Sequence, residues 1–493
     1  MSDLPSTYII EAQRIYTMDE ENQSYCAMLV DNGRIKTLFA ASPLLSLPKI
    51  EFSSYFIVPG FIDSHTHILL YGLQKIFPDL SDAQSIAEIL EIIAAHQSLT
   101  QQVGFLFCYN FEPEKIKERR YIYKDEIDRI GFSYPIIIFR ADMHSASVNS
   151  AALKLLPQSD KFSFQTGILK GNIYEYTYKT FLKFISPDLR LKAFRITLND
   201  ALASGITTLV TMLGSEEDSE SCELLVENLA SFPIEVVPFY QTQNINRVKK
   251  LGLKRIGGCI LIDGSFGSHT AAIFDNYNDE PHTNGILYLS DQELENFFKA
   301  AESEGLQTAV HAIGDRAIDQ VVRVWEKIIK SNTYRHRIEH CELLNDTLIQ
   351  RIKDLGLLVS AQPAFEYFWG GPEKLYAIRL GERWRSTNHL AKLISHGIKV
   401  LGGSDAPVTP LNPLLGIKSA VYHPNPEARI SILEAMKMFS VNGAYGIFAE
   451  NRIGALKLNY EANFIVLEKD PLATVDNTVV SVFYRGKKVF TKN

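Results

Sequence analysis

The sequence predicts an α/β fold in which a (β/α)8 TIM-like barrel carries a small β-sandwich domain built from both termini. Both ends of the chain consist of short strand-like runs, whereas the middle alternates strand-like with helical runs. Strands that alternate with helices form parallel sheets, and eight of them between two strand-rich ends favour a closed barrel. An open, doubly wound sheet is the alternative, although no Gly-x-Gly-x-x-Gly motif follows an early strand.

The small β domain is predicted to combine residues 1–58 with residues 445–493. Near the N-terminus, two apolar runs flank an Asp-Asn-Gly turn at residues 31–33, a pattern typical of a hairpin. Near the C-terminus, two apolar runs flank an Arg-Gly-Lys turn at residues 485–487 in the same way. We therefore expect both ends to belong to one domain beside a barrel at residues 59–444.

The eight barrel strands are predicted from apolar runs bounded by glycine or polar residues. These runs are residues 61–67, 205–210, 234–238, 258–262, 307–311, 337–340, 356–360 and 398–402. Apolar residues at helical spacing follow the first strand, at Ile86, Ile89, Leu90 and Ile93. Two further strand-like runs, at residues 103–108 and 135–139, are assigned to a long insertion at about residues 100–200.

Composition narrows the class of function. The chain has 493 residues, of which 46% are hydrophobic, and a net charge of -7, so a basic surface for nucleic acid or for a membrane is not expected. We therefore expect a small-molecule substrate rather than nucleic acid or a membrane. The composition does not decide whether the protein forms a homo-oligomer. The five cysteines are scattered and odd in number, and no apolar run approaches the roughly 20 residues of a membrane helix. These features predict a cytoplasmic protein.

Histidine and aspartate side chains recur where the predicted strands end. His65 and His67 lie one residue apart, on the same side of the first strand, because strand side chains alternate. His311, His340 and Asp405 end three later strands. One such histidine is more often a core residue, but four with an aspartate indicate a catalytic metal site. Imidazole and carboxylate ligands suit zinc, iron, nickel or manganese.

Several motifs together carry a family resemblance. They lie at residues 58–67 (Val-Pro-Gly-Phe-Ile-Asp-Ser-His-Thr-His), 144–150, 262–265, 311–317, 335–340, 362–363 and 403–408. With these motifs the chain resembles the amidohydrolase superfamily, and within it the branch of YtcJ-like and N-substituted formamide deformylase-like proteins (amidohydrolase family 3). The resemblance covers essentially the whole chain.

The resemblance implies a metal-dependent hydrolase that cleaves a non-peptide C–N bond, in an N-substituted amide or formamide, with metal-activated water. It implies that His65, His67 and Asp405 hold one divalent ion, expected to be zinc, and that His311 and His340 hold a second ion if there is one. Asp405 would be the catalytic residue that takes the proton of the attacking water and delivers it to the leaving nitrogen. A lactone or ester hydrolase with the same site, or a metal-free barrel acting as a binding protein, are the alternatives.

Cys259 departs from the pattern of the branch. Many members carry a lysine at this position, four residues before the Asp-Gly pair, and its carbamylated side chain bridges two metals. A thiolate could also bind zinc and bridge two ions, but a small buried apolar residue is the other interpretation. Asp263 could orient a ligand histidine or be a turn residue, and His144 could contact substrate or lie on a surface loop.

Overall fold

The computed structural model describes residues 4–156, 165–216 and 218–492. The two ends of the chain form one sheet of seven strands. Its strands are β1 (Thr7–Tyr16), β2 (Ser24–Asp31), β3 (Arg34–Phe39), β4 (Lys49–Pro59), β17 (Phe464–Leu467), β18 (Val479–Tyr484) and β19 (Lys487–Thr491). β17 from the C-terminal end pairs antiparallel with β4 from the N-terminal end. The prediction that both termini build one β domain is therefore confirmed.

The centre of the molecule is a sheet of eight parallel strands that occur in chain order. They are β5 (Phe61–Thr66), β10 (Ile206–Leu213), β11 (Glu235–Tyr240), β12 (Arg255–Leu261), β13 (Gln307–Ala312), β14 (Arg337–His340), β15 (Leu358–Ala361) and β16 (Val400–Gly402). A parallel bridge between Thr66 and Ala406 brings the end of the sheet back to its first strand. The predicted TIM-like barrel is confirmed, and the open-sheet alternative is wrong.

Between β5 and β10 lies a separate sheet of four strands. They are β6 (Leu106–Phe111), β7 (Ile136–Arg140), β8 (Ser145–Val148) and β9 (Ile168–Lys170). β6 and β7 correspond to the two strand-like runs that the sequence assigned to an insertion. This sheet carries the loop between β7 and β8 towards the C-terminal ends of the barrel strands.

Eighteen α-helices connect the strands of the described residues. They are α1 (Ile68–Ile76), α2 (Ile86–Ala95), α3 (Gln97–Val103), α4 (Lys124–Asp128), α5 (Ser150–Leu153), α6 (Asn172–Leu182), α7 (Pro187–Ala203), α8 (Glu220–Asn228), α9 (Ile245–Lys250), α10 (Asp291–Ser303), α11 (Asp315–Trp325), α12 (Asp346–Leu355), α13 (Ala364–Trp369), α14 (Leu375–Leu380), α15 (Leu390–Ser395), α16 (Pro413–Val421), α17 (Ile432–Met438) and α18 (Val441–Gly446). Over the described ranges, none has the length and apolar character that crossing a membrane requires.

Helix α12 shows how the local sequence builds the outer layer. The side chain of Asn345 caps its first turn by accepting from the backbone N–H of Leu348, and Gly356 ends it with a left-handed φ of 69°. The buried residues Leu348, Ile349, Ile352 and Leu355 recur at helical spacing and form one apolar face. That face packs towards the barrel strands, which are themselves buried on both sides.

Candidate functional site

Six of the sequence-predicted residues converge at the C-terminal end of the barrel strands, where parallel barrels place their active sites. His65, His67, Cys259, His311, His340 and Asp405 form three overlapping groups whose ligand atoms lie within 4.8 Å of one another in each group. The strands bring together residues that are up to 340 positions apart in the chain.

Asp405 lies between the two histidines of the first strand. Its Oδ1 is 3.0 Å from His67 Nε2 and 3.2 Å from His65 Nε2. The backbone at Asp405 is left-handed, with φ 53°, and its N–H donates to the carbonyl of His65 over 2.8 Å. Asp63 fixes the same junction, because its Oδ1 accepts from the backbone N–H groups of His65 and Ser404. A strained backbone conformation thus aims the Asp405 carboxylate at the histidine pair.

Hydrogen bonds orient two of the histidines so that one ring nitrogen stays free. His65 Nδ1 lies 2.6 Å from Glu339 Oε2, and His340 Nδ1 lies 2.7 Å from Gln362 Oε1. These acceptors take the ring N–H, which leaves each Nε2 as a lone-pair donor. Among the described residues, His65 Nε2, His340 Nε2 and Asp405 Oδ1 are buried without a hydrogen-bond partner. Three such atoms that converge on one point fit a divalent cation.

Cys259 lies between the two halves of this cluster. Its Sγ forms one ligand group with His65 and His67 and another with His311 and His340. The Sγ is 3.7 Å from His311 Nδ1. Although burial opposes ionisation of the thiol, the four surrounding histidines, His311 foremost, hold the pKa of Cys259 well below its usual range. The Cys259 sulfur therefore lies close to the histidines of both ligand groups.

Asp263 organises the loop after β12. Its carboxylate accepts from the backbone N–H groups of Ala272, Ile313 and Gly314, over 2.8 to 2.9 Å. Burial raises the pKa of Asp263 to about 7. It lies 3.5 Å from His311 Nε2, whereas the hydrogen-bond partner of that nitrogen is the carbonyl of Gly264, at 3.1 Å. Asp263 thus positions the backbone around His311, and the Gly264 carbonyl fixes the imidazole.

A buried ion pair between Arg337 and Glu339 lies inside the barrel and contacts His65 of the first strand. Glu339, which accepts from His65, also accepts from Arg337 Nη2 over 2.8 Å, and both side chains are fully buried. Arg337 Nη2 further donates to the hydroxyl of Ser360 over 3.1 Å. Although burial opposes ionisation, the Arg337 guanidinium and the His65 hydrogen bond lower the pKa of Glu339 to about 2. The carboxylate is therefore charged and fixes the orientation of His65.

The sequence predicted no role for Asp63, Glu339 or Gln362, although each lies in one of the motifs shared with the amidohydrolase superfamily. All three are buried polar residues in or beside strands that are otherwise apolar. A buried polar side chain costs free energy unless it has a partner, so its presence in such a strand is a usable signal.

His144 reaches the site from the insertion. Its ring lies 5.7 Å from that of His311, between centroids. The neighbouring Asp142 anchors the loop, because its carboxylate accepts from the hydroxyls of Ser265, over 2.9 Å, and Ser268, over 2.8 Å. The insertion is thereby attached to the loop after β12, and His144 lies beside the candidate metal ligands.

A cavity of about 270 Å³ opens beside the cluster. His67 and Cys259 are among the residues that line it, and residues at or just after the C-terminal ends of β10, β11 and β12 form much of its wall. Leu182 of α6 lies on its wall, so the residues that precede α7 contribute to its shape. The cavity is continuous with the candidate ligands and can hold a small molecule against them.

Comparison with known proteins agrees with this geometry. The family described as "Amidohydrolase family" matches residues 55–490. The putative amidohydrolase YtcJ of Bacillus subtilis is 29% identical, over 93% of this chain and 94% of the relative. The N-substituted formamide deformylase of Arthrobacter pascens is 24% identical, over 96% of this chain and 95% of the relative. The crystal structure of an uncharacterized metal-dependent hydrolase from Pyrococcus horikoshii superposes with a TM-score of 0.79 at 24% identity, covering 95% of this chain and 99% of that one.

Proposed function

The chain belongs to the amidohydrolase family, in its YtcJ-like branch, and on that premise we propose that it is a metal-dependent hydrolase of a non-peptide C–N bond. The substrate class we propose is an N-substituted amide or formamide. The observation that carries the proposal is the convergence of His65 Nε2, His340 Nε2 and Asp405 Oδ1, all buried and without a hydrogen-bond partner among the described residues. The deformylase relative favours a formamide among the candidate amides.

His65, His67 and Asp405 would hold a divalent metal ion, which would supply a water of lowered pKa and a Lewis acid for the substrate carbonyl. Asp405 accepts a proton from the attacking water as the new C–O bond forms, and donates it to the leaving nitrogen as the C–N bond breaks. Its position, 3.0 Å from His67 Nε2, places the carboxylate at the centre of the cluster. Glu339 keeps His65 in the tautomer that leaves Nε2 free.

We propose that the cluster holds two ions. Asp405 Oδ1 lies 3.0 and 3.2 Å from the two histidines of β5, which make one half of the cluster, and the histidines of β13 and β14 make the other half with Cys259. Cys259 forms a ligand group with histidines of both halves, so we propose that its thiolate would help to hold an ion in each half. A thiolate among imidazoles favours zinc over iron, nickel or manganese.

A substrate screen with metal analysis tests the proposal. The zinc-loaded protein should contain at least one ion per chain. It should also hydrolyse members of a panel of N-substituted formamides and amides, and chromatography measures this hydrolysis. Asp405→Asn should fold and lose turnover, whereas the exposed control Asp346→Asn should not. A metal content clearly below one per chain, or hydrolysis only of lactones and esters in the same panel, would overturn it.

A further inference from the structure

A buried glutamate–histidine pair lies outside the candidate metal centre. Glu366 is in α13, His423 follows α16 by two residues, and both side chains are fully buried. Glu366 Oε2 lies 3.8 Å from His423 Nε2, which is too long for a hydrogen bond. Among the described residues neither atom has a hydrogen-bond partner, although buried polar atoms are normally paired.

Hydrogen bonds to the other polar atom of each side chain decide which atoms can donate. His423 Nδ1 accepts from the backbone N–H of Asn425 over 3.1 Å, so the proton of the neutral ring lies on Nε2. Glu366 Oε1 accepts from Asn388 Nδ2 over 3.2 Å, so a protonated carboxyl carries its hydrogen on Oε2. Two donors then face each other, which accounts for the gap. In the ionised form, Oε2 becomes an acceptor for the Nε2 proton.

Only Glu366 of this pair changes its charge near neutral pH. Burial raises the pKa of Glu366 to about 7. Burial lowers the pKa of His423 to about 4, so its ring stays neutral. The backbone of Thr387 also faces this ring but forms no hydrogen bond with Nε2. Because a carboxylate accepts a stronger hydrogen bond than a neutral group does, ionisation of Glu366 should draw the two side chains together.

The other titratable groups around the pair leave Glu366 without a cationic partner. No lysine or arginine in the described part of the chain forms an ion pair with Glu366, since Lys374 is exposed and donates to a backbone carbonyl, and Lys418 of α16 pairs with Asp476 over 2.7 Å. The remaining groups that face the pair are Glu342, Tyr376, His389 and Arg429. Burial shifts the pKa of each of the first three towards its neutral form, and the last donates to the His423 carbonyl over 2.8 Å.

Helix α13 connects this pair to the candidate metal centre. The ring of Phe365, the neighbour of Glu366, stacks on His340 with 5.9 Å between centroids and 14° between planes. Trp369, one turn later in the same helix, lies 5.1 Å from the Phe365 ring. A displacement of Glu366 towards His423 therefore moves the two aromatic rings of α13 relative to His340.

We infer that Glu366 and His423 form a pH-responsive contact, which is open when the Glu366 carboxyl is protonated and closed when it is ionised. Closing the contact draws α13 towards the segment after α16 and moves the Phe365 ring across His340. The contact thereby couples pH to the packing of one candidate metal ligand. It does not depend on which reaction the metal centre catalyses.

The fluorescence of Trp369 reports the state of this contact. The emission of the zinc-loaded protein is measured from about pH 5.5 to 9, on both sides of the expected ionisation. We expect a transition with a midpoint near pH 7, and Trp369→Phe should remove it. Glu366→Gln places an NH2 group where the acid hydrogen lies, so this variant should keep the low-pH emission throughout.

Two substitutions of His423 separate the roles of its two nitrogens. The amide of asparagine ends at the position of Nδ1, whereas the amide of glutamine reaches the position of Nε2. His423→Asn therefore keeps an acceptor for Asn425 and loses the donor to Glu366, so its midpoint should rise by about half a pH unit or more. His423→Gln restores a donor and should return the midpoint towards that of the wild type.

Glu302→Gln is the matched control. Glu302 forms another glutamate–histidine pair, with His336 over 2.6 Å, and the His336 ring stacks on a different tryptophan, Trp325. This control should leave the transition unchanged, and circular dichroism verifies the fold of every variant. The absence of a transition in the wild type, a transition that persists in Glu366→Gln, or equal midpoints in the two His423 variants would overturn the inference.

Discussion

Replacing Glu339 by glutamine changes one charge in the interior of the barrel and nothing in the outline of the side chain. Glu339 accepts from His65 Nδ1 over 2.6 Å and from Arg337 Nη2 over 2.8 Å, and its side chain is fully buried. Both of these bonds end on Oε2, whereas Oε1 accepts from Arg337 Nε. In the variant, one of these two positions becomes an NH2 group, which donates and cannot accept. Either Arg337 Nε loses its acceptor, or His65 Nδ1 and Arg337 Nη2 lose theirs together.

The size of the effect follows from the burial of this pair. Removing one partner of a buried ion pair costs about 3–5 kcal/mol of unfolding free energy, because the other charge stays buried without compensation. The lowered pKa of Glu339, about 2 against 4.5 for the free side chain, corresponds to ~3 kcal/mol by linkage. The carboxylate is thus ionised and stabilising above pH 4.5, and this contribution is lost as the pH falls from 4.5 to 2. Loss of the partner that orients a ligand histidine should also weaken metal binding by roughly 10- to 100-fold.

Two measurements on the same variant separate these effects. Urea unfolding of the metal-free protein reports the stability loss, and competition with a zinc-binding dye reports the affinity. Glu450→Gln is the control, because Glu450 forms a two-pronged ion pair with Arg335 away from the site and is partly exposed. This control should lose about 1 kcal/mol or less and keep its zinc affinity. An unchanged zinc affinity in Glu339→Gln would refute the orienting role of the carboxylate.

Three further substitutions probe the cluster. Cys259→Ala should lower zinc stoichiometry by about one ion per chain, measured by mass spectrometry, whereas the buried Cys222→Ala should leave it unchanged. Asp405→Asn should lower kcat by roughly 10²- to 10⁴-fold while circular dichroism stays native, because the group that moves the proton is lost; turnover equal to the wild type would contradict its role. Gln362→Leu removes the acceptor of His340 Nδ1, so the more weakly bound of two zinc ions should bind at least tenfold less tightly, and an unaltered titration would argue against this orientation.

The barrel strands were predictable because buried parallel strands are continuous apolar runs. The run predicted at residues 337–340 coincides with β14, and the run at 307–311 is one residue shorter than β13. β12 was predicted to begin at residue 258, but it begins at Arg255 and includes Gly257 and Gly258, which look like a turn. Both glycines have a positive φ, and a side chain at Gly257 would meet the carbonyl of Ala309 at 2.2 Å. The glycines allow close approach of neighbouring strands, which no local pattern reveals.

The candidate ligands were predictable for a different reason. A histidine or aspartate that ends a parallel strand must lie near the others at the same edge, so position alone groups them. Residues that act through a partner could not be grouped in this way. Glu339 and His65 are 274 residues apart in the sequence, and Asp142 and Ser265 are 123 residues apart. Only the folded chain brings these pairs into contact.

The central claim is that Cys259 joins two halves of one metal cluster. A crystal structure of the zinc-loaded protein with anomalous scattering at the zinc edge tests it most directly. We expect two anomalous peaks, one among His65, His67 and Asp405 and the other between His311 and His340, with the Cys259 sulfur bound to both. Peaks that leave Cys259 unligated, or the absence of any peak at these residues, would contradict the claim.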